Sequence, residues 1–376
     1  GLGDVYKRQG LKARPGEGPP GRKGKTRVRR WAIEDKVIMG YTSPDKKFYH
    51  TDAFTSYAID RLDEYKDEDK PFVLYLPYTA PHYPLHAWPK DIAKYRGKYK
   101  IGWDEIRKQR FKRMNEMGII GPNHKLTPRA SKAWDDLSEE QKDAEDLKMA
   151  VYAAMIDRVD QNLGRLFAKV KELGEWDNTL IMFLTDNGAC PEHLGGNGWN
   201  TANNILAKAK KAGKTIAVGD KCDVPMGGPM TYGSVGHNWA NAQNTPMRRY
   251  KSNVHNGGAC TPAIIHWPAG LKAKPGSISD QRGHVIDMMA TCLELAGTKY
   301  PKEFNGKETK DHESFSLVPI LKGEAVDREH AYVFNHSGTH AIVKGEYKIV
   351  REGRRPWALY HLAENRTETN NIAITT

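Results

Sequence analysis

Long apolar runs are absent from this 376-residue sequence, and without about 18 consecutive apolar residues it offers no candidate transmembrane helix. Cysteine is also scarce. The four cysteines are widely spaced and form no C-x-x-C pair, which excludes a zinc ribbon and a disulfide-dense scaffold and leaves the redox compartment open. With 39% hydrophobic and 28% charged residues, the composition is that of an ordinary globular protein.

Positive charge is concentrated at one end of the chain. The net charge is +12, and residues 1–30 contribute ten Lys and Arg against two Asp and Glu. Because these residues show no hydrophobic period, residues 1–47 are predicted to form a solvated basic leader, disordered or not native to the fold. Such a leader does not indicate a nucleic-acid interface, and it lacks the apolar core of a secretory signal.

Periodic apolar residues predict an α/β domain over residues 48–300, because helical apolar stripes alternate with short continuous apolar runs. Helices followed by buried strands indicate an open, mainly parallel sheet flanked by helices. After Tyr300, short alternating runs indicate a small antiparallel sheet, so residues 301–376 are interpreted as a second, α+β subdomain. The predicted helices are 52–65, 104–117, 147–170, 201–212 and 284–297; the predicted strands are 72–76, 179–185, 262–267, 331–334, 340–343, 347–350 and 357–361.

Two long segments lack this regular pattern. Residues 88–135 are charged and rich in Trp and Tyr, and they are interpreted as a surface excursion with one helix. Residues 190–250 are rich in Gly and Asn and are interpreted as a loop on the substrate side. Substrate identity cannot be read from either segment.

Hard oxygen ligands follow one of the predicted strands. Asp186 and Asn187 stand directly after the run 179–185, and ligands bind beyond the carboxyl ends of strands in open α/β sheets. A carboxylate and an amide oxygen could give a divalent cation two ligands. The alternative is an Asx-turn that ends the strand, with Gly188 supplying a positive φ.

A histidine lies in a rigid, proline-flanked segment after the run 72–76. Pro81 and Pro84 flank His82 and forbid a helix there, so His82 and His86 cannot form a helical zinc pair. A rigid imidazole is suited to general acid catalysis or to contact with an anion. A packed, hydrogen-bonded histidine is the alternative.

Four cationic or titratable side chains precede a glycine pair. A cradle for an oxyanion and a solvated basic loop are both compatible with this pattern. The side chains are Arg248, Arg249, Lys251 and His255, and the pair is Gly257–Gly258.

The order of these segments resembles the sulfatase family, specifically the arylsulfatases of the alkaline-phosphatase-like superfamily. The resemblance covers about residues 48–372 and implies that superfamily's fold. It rests on YHTDAFTSYAID, PFVLYLPYTAPHYPLHA, YAAMIDRVDQNLGRLF, NTLIMFLTDNGAC, the segment 244–267, GEYKIV and WALYHLAENRTETNN.

The resemblance implies roles for individual residues. Asp186 and Asn187 correspond to ligands of one Ca²⁺ ion, and Lys251 to a lysine that neutralises a sulfate oxygen. His82 corresponds to a histidine that contacts the sulfate or protonates the leaving group. His255 has no role in the family that carries over, and it is kept as a weaker candidate for substrate binding. The residue before the glycine pair is commonly acidic in the family, whereas here it is Asn256.

The family's nucleophile is a formylglycine made from the Cys or Ser of a C/S-x-P-x-R motif. No cysteine here is followed by x-Pro-x-Arg, and residues 1–47 contain no match. The expectation is therefore that the sequence is the C-terminal part of a sulfatase, inactive alone, whose remaining calcium ligands and signal peptide lie upstream. The family implies a periplasmic or secreted enzyme, or a lysosomal one in a eukaryote.

The expected substrate is a small-molecule or glycan sulfate ester, with no nucleic-acid partner. The alternatives are a phosphatase or phosphodiesterase of the same superfamily and a non-catalytic chain that binds sulfated glycans. The first is disfavoured because no D-x-x-x-H directly follows the Asp-Asn-Gly motif. Only the missing nucleophile supports the second.

Overall fold

The computed structural model describes residues 3–4, 30–33, 36–39, 43, 45, 47–194, 216–219, 226–326 and 331–373. The chain divides into two units. Unit 1 comprises Gly1–Arg110, Pro128–Gly174 and Ala189–Thr245, and unit 2 comprises Phe111–Thr127, Glu175–Gly188 and Pro246–Thr376. Among the described residues, no helix is both long and apolar enough to cross a membrane.

The helices and strands of the described residues are taken in chain order. The helices are α1 (His50–Glu64), α2 (Pro89–Ala93), α3 (Gly102–Glu116), α4 (Glu139–Glu172), α5 (Gly236–Gln243), α6 (Asn256–Ala259), α7 (Asp287–Leu295), α8 (Val318–Leu321) and α9 (Leu362–Asn365), with a 3₁₀ turn at Trp134–Asp136. The strands are β1 (Gly3–Asp4), β2 (Arg30–Ile33), β3 (Lys36–Met39), β4 (Ile181–Leu184), β5 (Ala217–Val218), β6 (Thr231–Tyr232), β7 (Ala263–His266), β8 (Glu303–Phe304), β9 (Lys307–Glu308), β10 (Tyr332–His336), β11 (Thr339–Lys344), β12 (Tyr347–Glu352) and β13 (Ala358–His361).

Part of the segment interpreted as a leader is paired. Strand β2 pairs antiparallel with β3 and with β1, so the expectation of an unfolded leader over residues 1–47 does not hold for these three strands. β2 and β3 each consist of one charged residue followed by only three apolar ones. That run is too short for a sequence pattern to separate it from the basic stretch before it.

The long helix α4 organises unit 1. It begins at a capping box in which the Ser138 hydroxyl accepts from the Gln141 amide and the Gln141 side chain accepts from the Ser138 amide. Its apolar stripe is as predicted and packs against α1 and α2. The predicted helix 201–212 lies outside the described residues.

Three tryptophans form the centre of the unit 1 core. Trp103 and Trp239 are fully buried, Trp134 nearly so, and their rings meet edge to face with centroids 4.8–5.9 Å apart. Two of the three belong to residues 88–135, so the interpretation of that segment as a surface excursion is wrong for its aromatic residues. Charged residues dominate its composition and hide the few positions that are buried. The helix predicted there is present as α3.

The two longest apolar runs of unit 2 pair antiparallel. β4 lies against β7 with Ile181 opposite His266 and Leu184 opposite Ala263, while the only parallel ladder among the described residues is β5 with β6. Phe183 and Ile264, in the middle of these strands, are 42% and 65% exposed. The sheet is therefore uncovered on part of its surface among the described residues, although the sequence predicts burial on both faces.

The run 72–76 forms no strand in the structure, contrary to the prediction. Phe72 and Leu74 are about 40% exposed while Val73 and Tyr75 are about 80% exposed, which is the period of two expected of a β-strand. A strand requires a hydrogen-bonded neighbour, and none of the described residues pairs with this run.

The second subdomain is present as predicted. β10, β11, β12 and β13 form an antiparallel meander in sequence order, and α9 follows directly. Its core consists of apolar residues of the strands and of α9, with Val254 of the preceding segment packed among them: Ala341, Val343, Val350, Tyr360 and Leu362. This contact ties the basic loop to the subdomain within unit 2.

Replacing Gly102 by Ala should destabilise unit 1 strongly. Gly102 has φ of +83°, and an added Cβ would come within 2.3–2.5 Å of the Trp134 ring. We expect a loss of about 3 kcal/mol or more in unfolding free energy, from backbone strain and core overpacking together. The control is Gly97→Ala, because Gly97 has φ of +84° but nothing within 4 Å of an added Cβ. It should lose only about 1–2 kcal/mol; equal losses in denaturant titrations would contradict the packing argument.

The exposed run 72–76 should promote aggregation, because an apolar edge without a partner is a template for strand addition. The double change Val73→Lys and Tyr75→Lys should lower light scattering and dye binding at exposed apolar surface while leaving the melting temperature nearly unchanged. The control is Ile342→Lys, since Ile342 is exposed but lies on β11, which is paired on both sides. If the control lowers scattering as much as the double change, the effect is general charge repulsion instead.

Candidate active site

The β4–β7 pairing brings two distant motifs together. Asp186 and Asn187 follow β4, and the pair Gly257–Gly258 precedes β7. The Gly188 amide donates to the Gly258 carbonyl at 3.0 Å. The Thr261 hydroxyl donates to the Thr185 carbonyl at 2.7 Å. The structure thus places the Asp-Asn motif beyond the end of a strand, as predicted, and beside the end of the basic loop.

The glycine pair is required by the basic loop itself, residues 248–256. A Cβ on Gly257 would lie 2.2–2.4 Å from the carbonyls of Arg249 and Arg248, and one on Gly258 would lie 2.1 Å from the Asn253 carbonyl. The Gly257 amide also donates to the Arg248 carbonyl at 2.8 Å. The close backbone approach inferred from the sequence is real, but the loop's own carbonyls occupy it, so the pair is not an oxyanion cradle.

Lys251 lies at the tip of this loop and is half-buried. The backbone on either side of it is left-handed, with φ of +66° at Arg249 and +68° at Ser252. Non-glycine residues adopt this region at a cost, and such residues cluster at binding sites where the surrounding structure holds them. The loop therefore fixes where the Lys251 backbone lies.

The two arginines of the loop bind the C-terminal subdomain. Arg249 forms a bidentate ion pair with Glu352: Nε donates to Oε1 and Nη2 donates to Oε2, each at 3.0 Å. Arg248 donates to the Glu368 carbonyl at 3.2 Å and to the Tyr360 hydroxyl at 3.3 Å. A solvated basic loop, the alternative left open by the sequence, is therefore wrong for these two residues.

Glu352 is held ionised by this arrangement. Burial alone would raise its pKa, but the hydrogen bonds from Arg249 and Asn253 outweigh burial and lower the pKa to about 2. The ion pair is thus intact throughout the neutral range and anchors the loop.

His255 is enclosed by protein. It is 2% exposed, its Nδ1 lies 3.2 Å from a Glu368 carboxylate oxygen, and its Nε2 lies 3.5 Å from Glu352. A side chain with this exposure does not face a substrate, so its candidacy for substrate binding is corrected. Glu352 and Glu368, which the sequence analysis missed, carry no local signal because they lie about 100 residues away on the subdomain.

The donor chemistry of Asp186 and Asn187 fits a hard cation, but their number does not complete a site. Asp186 is exposed and Asn187 half-buried. Among the residues that the structure describes, no group of three or more His, Cys, Asp or Glu could hold a metal ion. Ca²⁺ takes six to eight oxygens, so this pair supplies a minority of them.

His82 belongs to unit 1 and sits between the cis bonds Ala80–Pro81 and Tyr83–Pro84. Its Nδ1 lies 2.8 Å from the Tyr83 carbonyl, which can only accept, so Nδ1 carries a hydrogen and donates it. Proton transfer to a substrate would then involve Nε2. His86 is buried instead, with Nε2 2.7 Å from the Thr231 carbonyl, which is a packing role.

Glu192 holds the segment after the Asp-Asn-Gly motif against Tyr83, within unit 1. Burial raises the pKa of Tyr83, and its hydroxyl's hydrogen bond to Glu192 raises it further. Leu194, two residues after Glu192, is buried in a cluster with Tyr232. The sequence analysis missed Glu192 because the segment 190–250 shows no period.

Comparison with known proteins gives the family. The sulfatase family model matches residues 3–298. An uncharacterized sulfatase of Schizosaccharomyces pombe is 33% identical over 338 residues, 87% of this chain and 59% of that protein. An arylsulfatase of Klebsiella aerogenes is 31% identical over 260 residues, 66% of this chain and 51% of that protein. The chain spans between half and three-fifths of the length of these relatives.

Solved structures agree on the fold. The crystal structure of Ps i-CgsB in complex with k-i-k-neocarrahexaose has a TM-score of 0.55 and 20% identity, over 90% of this chain and 54% of that one. The family model covers most of the chain, including part of the segment first interpreted as a leader. The chain belongs to the sulfatase family and has its alkaline-phosphatase-like fold.

Proposed function

We propose that the protein containing this chain hydrolyses sulfate esters by means of a formylglycine nucleophile. The observation that carries the proposal is the hydrogen bond between Gly188 and Gly258, which sets the Asp-Asn motif beside the loop that bears Lys251. Oxygen ligands next to a fixed cation suit a substrate with a charged sulfate group. Family membership supports the same reaction class.

The nucleophile is proposed to lie in a segment outside the given sequence. No cysteine here is followed by x-Pro-x-Arg, and the relatives are longer than this chain. On this proposal the chain alone does not turn over substrate, and it contributes the cationic and proton-donating groups.

Two side chains of this chain act directly in the proposed reaction. Lys251 pairs with a sulfate oxygen and stabilises the negative charge that shifts within the sulfate as the ester bond breaks. His82, whose Nδ1 donates to the Tyr83 carbonyl, acts as an imidazolium and delivers the proton of Nε2 to the leaving oxygen. Both roles follow from the chemistry of an ammonium and an imidazolium toward a sulfate ester.

Asp186 and Asn187 are proposed to hold one Ca²⁺ ion together with oxygens from outside this sequence. When bound, the ion would neutralise charge on the sulfate group. The two side chains fit it in kind, and their place beyond β4 keeps them available to a ligand.

The proposed substrates are aryl sulfates or glycan sulfate esters. One relative is an arylsulfatase, and one structural neighbour was crystallised with an oligosaccharide. Export to the periplasm or the exterior, or delivery to a lysosome, is proposed with this substrate class.

The reaction is tested with the longest reading frame that includes this chain, produced with a formylglycine-generating enzyme and assayed on 4-nitrophenyl sulfate. Lys251→Ala should lower kcat by about 10²–10³, because one preorganised contact to the reacting group is removed. Arg249 is unsuitable as a control, since it anchors the loop through Glu352. The exposed Lys274 is the matched cation, and Lys274→Ala should change kcat by less than about fivefold.

If Lys251→Ala and Lys274→Ala have equal, small effects, Lys251 does not contact the sulfate. If the intact reading frame hydrolyses a phosphate ester and not the sulfate, the reaction class is wrong.

The metal assignment is tested by calorimetry on the same protein. Asp186→Ala should abolish Ca²⁺ binding and activity together, because a charged ligand is lost. Asp311→Ala, a change at an exposed carboxylate of unit 2, should alter neither. Near-normal turnover of the Asp186 variant at low Ca²⁺ would show that Asp186 is not a ligand.

A further inference from the structure

A fully buried ion pair in unit 2 has no part in the proposed reaction. Lys348 of β12 is 1% exposed and Glu368 is 0% exposed, with Nζ and Oε1 2.8 Å apart. Burying two charges costs free energy that their attraction recovers only in part, and replacement by apolar residues is often neutral or stabilising. Stability alone therefore gives a weak reason for such a pair.

Both members of the pair bind the residue before the glycine pair. Lys348 Nζ donates to Asn256 Oδ1 at 2.7 Å, and the backbone N–H of Asn256 donates to Glu368 Oε2 at 2.8 Å. Asn256 Nδ2 donates in addition to the Arg366 carbonyl at 2.8 Å. Two residues further on, the Gly258 carbonyl accepts from the Gly188 amide at the Asp-Asn motif.

The carboxylates of this cluster are paired with cations. Lys348 offsets Glu368, and both Arg249 and Arg355 lie against Glu352. Although burial raises the pKa of Glu368, the opposing effects of Lys348 and His255 lower it overall, so the carboxylate stays ionised.

The same cluster has other polar neighbours. From the basic loop, Arg248 reaches the Glu368 carbonyl, and from β13 the Tyr360 ring lies 6.1 Å from the His255 ring. Burial raises the pKa of Tyr360, so its hydroxyl keeps its proton near neutral pH.

We infer that Lys348 and Glu368 are positioning residues that fix the Asp186–Gly188 segment through Asn256 and the glycine pair. The importance of the link for catalysis rests on the proposed function.

The positioning role is tested by amide hydrogen exchange on the purified protein. Glu368→Gln removes the charge and keeps the shape, and we expect exchange at Gly188 to rise at least tenfold while exchange in β11 changes little. Glu303→Gln, at an exposed carboxylate of unit 2, is the control and should change neither. A uniform rise across unit 2 would mean a purely structural pair and overturn the inference.

The outcomes separate this inference from the proposed function. Loss of activity in Lys251→Ala together with unchanged exchange at Gly188 in Glu368→Gln overturns the positioning role and leaves the reaction standing. The reverse pattern overturns the reaction alone.

Discussion

The Gly188–Gly258 hydrogen bond is the contact on which the arrangement of unit 2 depends. It is a backbone contact, so it exists only if β4 and β7 hold their register and if no side chain separates the two segments. Gly258 is required by the loop itself, because a Cβ there would collide with the carbonyls of Asn253 and Tyr250. Strand pairing thus sets the direction of the two segments, and the glycine allows the loop to fold closely on its own backbone.

Ion pairs and hydrogen bonds hold the basic loop in the position that the β4–β7 pairing gives it. The loop presents Arg249 to the largely buried carboxylate of Glu352 on β12, and Arg248 to the backbone carbonyl of Glu368 after α9. Loss of Arg249 would leave the Glu352 charge less fully compensated at a cost in free energy, so this pair tolerates few alternative positions for the loop. The C-terminal subdomain therefore orients the loop, and this role requires no contact with the substrate.

Local patterns predicted most of the elements. The stripe of α4, the meander β10–β13 and the position of the Asp-Asn motif beyond a strand all follow from spacing along the chain. The burial of Trp103 and the partners of Arg249 could not be predicted in this way, because they depend on contacts between residues far apart in the sequence. The run 72–76 shows the opposite error. Its pattern predicts a strand, but no described residue pairs with it.

The three cations of the basic loop show why composition is a poor guide to function. Coulomb attraction alone treats Arg248, Arg249 and Lys251 alike. Guanidinium groups bind carboxylates and carbonyls through several N–H groups in fixed directions, which suits Arg248 and Arg249 to hold the loop against the subdomain. An ammonium is a compact charge on a flexible stem and suits a ligand that must arrive and leave. On the proposed function Lys251 is the cation that contacts the sulfate and the two arginines hold the loop; only the fold shows that the partners of the arginines are Glu352, the Tyr360 hydroxyl and the Glu368 carbonyl.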